Sequence, residues 1–211
     1  MPVEVSGSRR EIGKAQRRRR IVEAAAALVR EHGSGEVSMV MVAERAGVSP
    51  GTLYNLFQTK AAIFQEVFDL DLDEFAARLQ REPGDPLDKL FVAVRMAADL
   101  YRREPRFYKA MALMGRRDGE GSASAIAGPR VDFWRQLVQD LADQGLLVAG
   151  TNASLLGASV ARSMRGIFLE WAGGSISAER LAREADFALA SLCHAHATGP
   201  ARRRLASRLR T

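Results

Sequence analysis

The chain has 211 residues, 47% hydrophobic and 27% charged, with a formal net charge of +6. That is enough apolar material for a core in one medium domain, or in a small domain joined to a larger one, while no apolar run reaches the roughly 18 residues of a membrane span. The charge is uneven: residues 1–60 hold 10 Lys/Arg against 6 Asp/Glu and residues 199–211 hold 5 Arg and no acid, so the ends rather than the middle are suited to a polyanion.

In chain order, residues 1–13 lack periodicity and read as a flexible basic arm. From about Lys14, Ile21, Ala25 and Leu28 recur at helical spacing until Gly33 supplies a stop. A second helix runs from Ser38, as N-cap, to Ala46; a third spans about 49–56; a fourth starts at Thr59 or Lys60. The break REPGDPLD follows, with Asp85 as N-cap and Pro86 at the first helical position of the next helix. Pro105 starts another helix. The Gly/Ser-rich run GRRDGEGSASAIAGP reads as a flexible loop before VDFWRQLVQDLADQ. Two further helices, about 151–172 and 178–197, precede the basic segment 199–211, read as a disordered tail. No alternating strand pattern of useful length appears. The expected class is all-α with about nine helices.

The stretch AERAGVSPGTLYNLF combines features that belong together. Ser49 can cap a short helix, Pro50 fits its first position, and Gly51 permits close approach of another backbone. Gly47 provides the left-handed turn, small Ala43 lets two helices cross, and Val48, Leu53, Leu56 and Phe57 fill the crossing. This is a helix-turn-helix pattern. Removing the buried positions leaves Ser49, Pro50, Gly51, Thr52, Tyr54, Asn55 and Gln58, none of them acidic. Asn55 can pair with adenine and Thr52 can meet a base edge, whereas Tyr54 and Lys60 suit phosphate. Arg17 and Arg18, within the run Arg17–Arg20, are candidates for phosphate or minor-groove contact.

Taken together, RRRRIVEAAAALVREHG and SMVMVAERAGVSPGTLYNLFQTKAAIF, about residues 17–66, resemble the TetR family of bacterial transcription regulators. The resemblance implies a three-helix DNA-binding head (14–60), a helical effector-binding and dimerisation body (61–198) and a homodimer. It carries DNA contacts to Ser38, Ser49, Pro50, Gly51, Thr52, Tyr54, Asn55 and Lys60. Leu56 and Ala61 depart from the family pattern, which often has His or Tyr and then an acid at these places.

In the body, Leu181, Ala185, Ala188, Leu192 and Ala195 are spaced 4-3-4-3, and Gly157, Ala158 and Ala161 are small. Both sets read as a dimer seam, with a seam inside one subunit as the alternative. Met96, Leu100, Tyr101, Tyr108, Met111, Phe133, Trp134, Leu137, Met164 and Phe168 suit an adaptable apolar effector pocket, which the family resemblance implies, though for each one taken singly a plain core is the favoured reading. Arg95 and Arg165 could meet an anionic ligand group or lie on the surface. His194 and His196 cannot chelate together from adjacent-but-one helix positions. With no nucleophile–base set, phosphate-binding loop or metal spacing, neither an enzyme nor a cofactor nor a metal is expected. A single cysteine, Cys193, and the lack of a signal-like segment point to a cytoplasmic protein without a membrane partner. The leading reading is a homodimeric repressor of a palindromic double-stranded DNA operator, released by an apolar or amphipathic small molecule. The alternative is an effector-independent DNA-binding or structural protein with a filled body.

Overall fold

The computed structural model describes residues 9–33, 36–117 and 119–210, for 9, 10 and 113–127 the backbone alone. Among the described residues there are ten helices and no strand. The chain divides into two compact units, Met1–Leu70 and Asp71–Thr211. The expected boundary after residue 60 moves to 70 because α4 (Lys60–Arg81) buries Ile63, Phe64, Val67 and Phe68 within the first unit.

The first unit begins with α1 (Arg9–His32), which starts inside the segment expected as an arm; residues 1–8 lie outside the described residues. RREIGKAQ contains strong helix formers and no proline, so the helix extends past its buried face. Ile21, Ala25, Leu28 and Val29 form that face. The α2 helix (Met39–Ala46) is capped by Ser38, whose hydroxyl accepts from the Met41 N–H at 3.2 Å. It ends at Gly47, φ +62°, in the left-handed region that favours glycine. The next helix, α3 (Pro50–Leu56), is seven residues long, far too short to persist alone. Leu53 and Phe57, 0% and 1% exposed, hold it in place.

The second unit contains α5 (Pro86–Arg103), α6 (Pro105–Arg117), α7 (Gly119–Asp143), α8 (Ala153–Ala172), α9 (Ala178–His194) and α10 (Gly199–Arg208). Asp85 caps α5, accepting from the Asp88 N–H at 2.9 Å. A continuous apolar core runs through Leu90, Phe91, Val94, Leu137, Val138, Leu141, Val160, Leu189 and Leu205. The run 115–129, expected as a loop, lies in α6 and α7 apart from residue 118, which lies outside the described residues. Four glycines and Pro129 oppose a helix by intrinsic propensity, so local preference does not explain why this run is helical.

The expected disordered tail is instead α10. Ala201, Leu205 and Leu209 recur every four residues and form an apolar edge, with Ala201 and Leu205 buried. The Arg204 guanidinium donates to Asp85 Oδ2 at 2.5 Å and to Asp88 Oδ1 at 2.6 Å. Upstream, Thr198 N–H donates to Leu146 O and Val148 N–H to His196 O, tying the turn before α10 to the α7–α8 turn. No helix among the described residues is long and apolar enough to cross a membrane.

Candidate nucleic-acid interface

Two caps and one turn aim α3. The Gly47 N–H donates back to α2, and Val48 N–H donates to Ala43 O at 3.0 Å. Ser49 Oγ accepts from Thr52 N–H at 3.1 Å and also shares a 2.9 Å hydrogen bond with Thr52 Oγ1, which engages the Thr52 hydroxyl locally. With Leu53 and Phe57 inward, Ser49, Pro50, Gly51, Tyr54 and Asn55 are exposed and Thr52 is half-buried. Tyr54 keeps 51% of its surface. Ser38 is exposed at the start of α2, and Lys60 is half-buried at the start of α4, its ammonium 5.5 Å from the Phe64 ring. The expected outer face is therefore presented as one polar, acid-free surface.

The arginine run does not act as a unit. Because α1 begins at Arg9, Arg17–Arg20 lie mid-helix, away from its positive end. Arg17 is exposed on a shallow hollow of about 430 Å³ lined also by Gly13, Gln16, Arg19, Arg20 and Glu23. Arg19 pairs with Glu23 at 2.8 Å. Arg18, expected beside Arg17 at DNA, turns inward instead. Its Nη1 donates to Leu56 O at 3.0 Å, its Nε to Glu66 at 2.6 Å, and its guanidinium stacks 4.2 Å from the Phe57 ring. It closes the C-terminal end of α3 with a positive charge, the favourable end for one. Sequence reasoning missed this because Glu66 comes from a helix 48 residues away.

Residues 21–67 match the family model for bacterial regulatory proteins of the tetR family. The head thus has the family's sequence and its three-helix geometry. The head carries a tetR-family domain. It is 32% identical over 97 residues to the HTH-type transcriptional repressor KstR of Rhodococcus jostii, and spans only about half of that relative, 46% of each chain. It is 25% identical over 179 residues to the HTH-type transcriptional regulator UidR of Escherichia coli, covering 81% of this chain and 87% of UidR. Among solved structures, Thermus thermophilus FadR in complex with lauroyl-CoA superposes with a TM-score of 0.71 at 24% identity, over 84% of this chain and 93% of FadR. RolR with resorcinol superposes with a TM-score of 0.68 at 16% identity, over 93% and 96%.

In the second unit the ten pocket candidates separate. Leu137 belongs to the main core, with Met96, Phe133, Trp134 and Met164 packed against it. Tyr101, Tyr108 and Phe168 form a second group with Trp171: the Tyr101 ring is 4.9, 5.0 and 4.8 Å from Tyr108, Phe168 and Trp171 respectively. Leu100 is half-buried and Met111 is buried, and neither belongs to these two groups. Sequence reasoning missed Trp171, although it lies three residues after Phe168 on the same helix. Arg95 and Arg165 are exposed; among the described residues Arg130 lies 4.7 Å over Phe168 and Lys109 5.5 Å from Trp171.

The dimer candidates also need correction. Gly157, Ala158, Ala161, Leu181 and Ala185 are buried inside the chain itself, Ala188 and Leu192 are half-buried, and only Ala195 is exposed. A β-carbon at Gly157 would lie 2.6 Å from Arg135 Cα, so that glycine brings α7 and α8 together. Small-residue spacing marks where helices meet but not which chain supplies the partner. The large apolar residues left outside on α8 and α9 are Leu155 and Phe187, 61% and 57% exposed. Cys193 is buried in the core, and burial pushes its thiol up to about 12, which leaves it inert.

Proposed function

We propose that the protein is a repressor-type transcriptional regulator that binds a palindromic operator as a homodimer and is released by a small-molecule effector. The observation that carries the DNA-binding part is the exposed, acid-free face of α3, held by buried Leu53 and Phe57 with Val48 and Leu56 half-buried. A helix exposed in this way can lie in a major groove, with Asn55 reading a base edge and Tyr54, Ser38 and Lys60 fixing register on phosphate. Two copies would place two such helices about one DNA turn apart, roughly 34–36 Å. Self-association would use Leu155 and Phe187, large apolar side chains that their own chain leaves uncovered.

Release follows if an effector binds one body shape better than another; a tenfold loss of DNA affinity needs about 1.4 kcal/mol of such preference. The body is a natural seat because α4 is one continuous helix belonging to the head up to Leu70 and to the body from Asp71. The Tyr108 hydroxyl donates to Asp71 at 3.2 Å, linking the aromatic group to that helix. The FadR and RolR structures hold chemically unlike molecules on this architecture, so the effector class has to be sought in this chain's own residues.

The deciding experiment is selection of bound sequences from random duplexes, followed by affinity measurements with Tyr54→Ala and Asn55→Ala. Removing a base hydrogen bond costs about 1–3 kcal/mol, so Asn55→Ala should lose roughly 5- to 150-fold on the selected site and relax its preference at one position. Recovery of no sequence motif, or variants that bind as well as the parent, would refute the reading.

A further inference from the structure

Among the described residues of the first unit, the large apolar side chains left more than half exposed are Ile12, Val40 and Tyr54. Tyr54 lies on the face of α3 already given to phosphate. Val40 has no such assignment. It is the second residue of α2, an eight-residue helix whose buried face is Val42, Ala43 and Ala46, and it lies outside that face, 52% exposed. A β-branched residue at an exposed helical position is a poorer helix former than alanine, so Val40 costs this short helix rather than supporting it.

The start of α2 also has groups for a phosphate. Ser38 Oγ accepts from Met41 N–H and Ser38 O from Val42 N–H. The N–H groups of Met39 and Val40 come before that first intrahelical bond, at the positive end of the helix dipole, where an anion is favoured. The operator reading already places Ser38 at phosphate. Glu36, before the cap, and Glu44, one turn after Val40, are exposed acids that phosphate repels, so the approach is confined to the first turn between them. The C5 methyl of thymine stands at the outer edge of its base, on the major-groove side. A side chain in the turn that holds the phosphate is therefore placed for that methyl. Val40 has no hydrogen-bonding atom in its side chain, so it can tell bases apart only by apolar contact, and the thymine methyl is the apolar group the groove offers. We propose that Val40 is a specificity residue that packs on a thymine methyl in each half-site, at a base pair other than the one Asn55 reads. This rests on the operator reading and adds a base preference supplied from α2.

The test uses the full-length protein and the duplex recovered by selection from random sequence. Each thymine in turn is replaced by deoxyuridine, which removes only the methyl. At one thymine per half-site the replacement should weaken binding about three- to fivefold, the worth of one buried methyl group. Val40→Ala should bind the unmodified duplex several-fold more weakly than the parent and lose the sensitivity to deoxyuridine there. Val40→Ile, which keeps a branched apolar surface, should retain it. Val40→Ala should melt no lower than the parent, which separates its loss of affinity from unfolding. Three results would each overturn the proposal: no thymine whose methyl matters, an undiminished deoxyuridine effect in Val40→Ala, or equal weakening of Val40→Ala on selected and random duplexes. With a motif recovered and Asn55→Ala still relaxing it, those results leave the operator reading standing. Recovery of no motif removes both.

Discussion

At the scale of single residues, two neighbours in one arginine run have opposite duties. Arg17 faces solvent, whereas Arg18 is bonded to Leu56 O and Glu66 and stacked on Phe57. Arg18→Ala should therefore lower head stability by about 1–2 kcal/mol, since hydrogen bonds to charged groups contribute on that order, and should weaken DNA binding only by unfolding α3. Arg17→Gln should leave the melting curve unchanged and reduce the slope of log affinity against log salt by about 0.9 for each phosphate that the side chain no longer neutralises. Thermal melts and a salt titration of both variants check this; an Arg18→Ala protein as stable as the parent would contradict it. The sequence showed four equivalent arginines because it cannot display which one reaches a carboxylate half a domain away. By contrast, the roles of Ser38, Gly47 and Ser49 were readable, because a cap or a left-handed turn depends on residues only two to four positions distant.

At the scale of elements, spacing predicted helices well and predicted their neighbours poorly. The Gly157, Ala158 and Ala161 stripe and the Leu181 and Ala185 part of the series on α9 are packing surfaces buried within the same chain, while Ala188 and Leu192 are half-buried and Ala195 is exposed. Gly157→Ala tests this within one subunit. The added methyl would press on the Arg135 backbone, so the variant should lose about 1–3 kcal/mol, the usual cost of overpacking a tight core, at every protein concentration. A loss that appears only on dilution would return Gly157 to an intersubunit interface. Denaturant titrations at two protein concentrations separate these outcomes. The 115–129 run and α10 show the complementary failure: Gly, Ser and Arg suggested loop and tail, yet both are helical, the second because of its Ala201–Leu205–Leu209 edge.

At the scale of the whole molecule, α10 is part of the body. Asp85 is held below the ordinary carboxylate range, first by the hydrogen bond from Arg204. With its folded value depressed, the stabilisation is complete above the unfolded value and is lost as pH falls through the folded one. Arg204→Ala should lower stability at neutral pH and flatten the acid limb of the stability curve, read from urea melts across that range; an unchanged limb would mean that this ion pair has no share in acid unfolding. Assembly is tested by Leu155→Glu with Phe187→Glu: sedimentation should show a shift from dimer to monomer, accompanied by a fall in operator affinity. A dimer that survives both charges would exclude these side chains from its interface. The class of fold, the reading head and its polar face were determined by the sequence alone, because they depend on helical periodicity, capping and turn chemistry acting over a few residues. Which arginine is bound and which is exposed, which small-residue seams close within the chain, and which aromatic side chains meet around Tyr101 were decided by the tertiary structure, since each needs groups from helices far apart in sequence to arrive at one place.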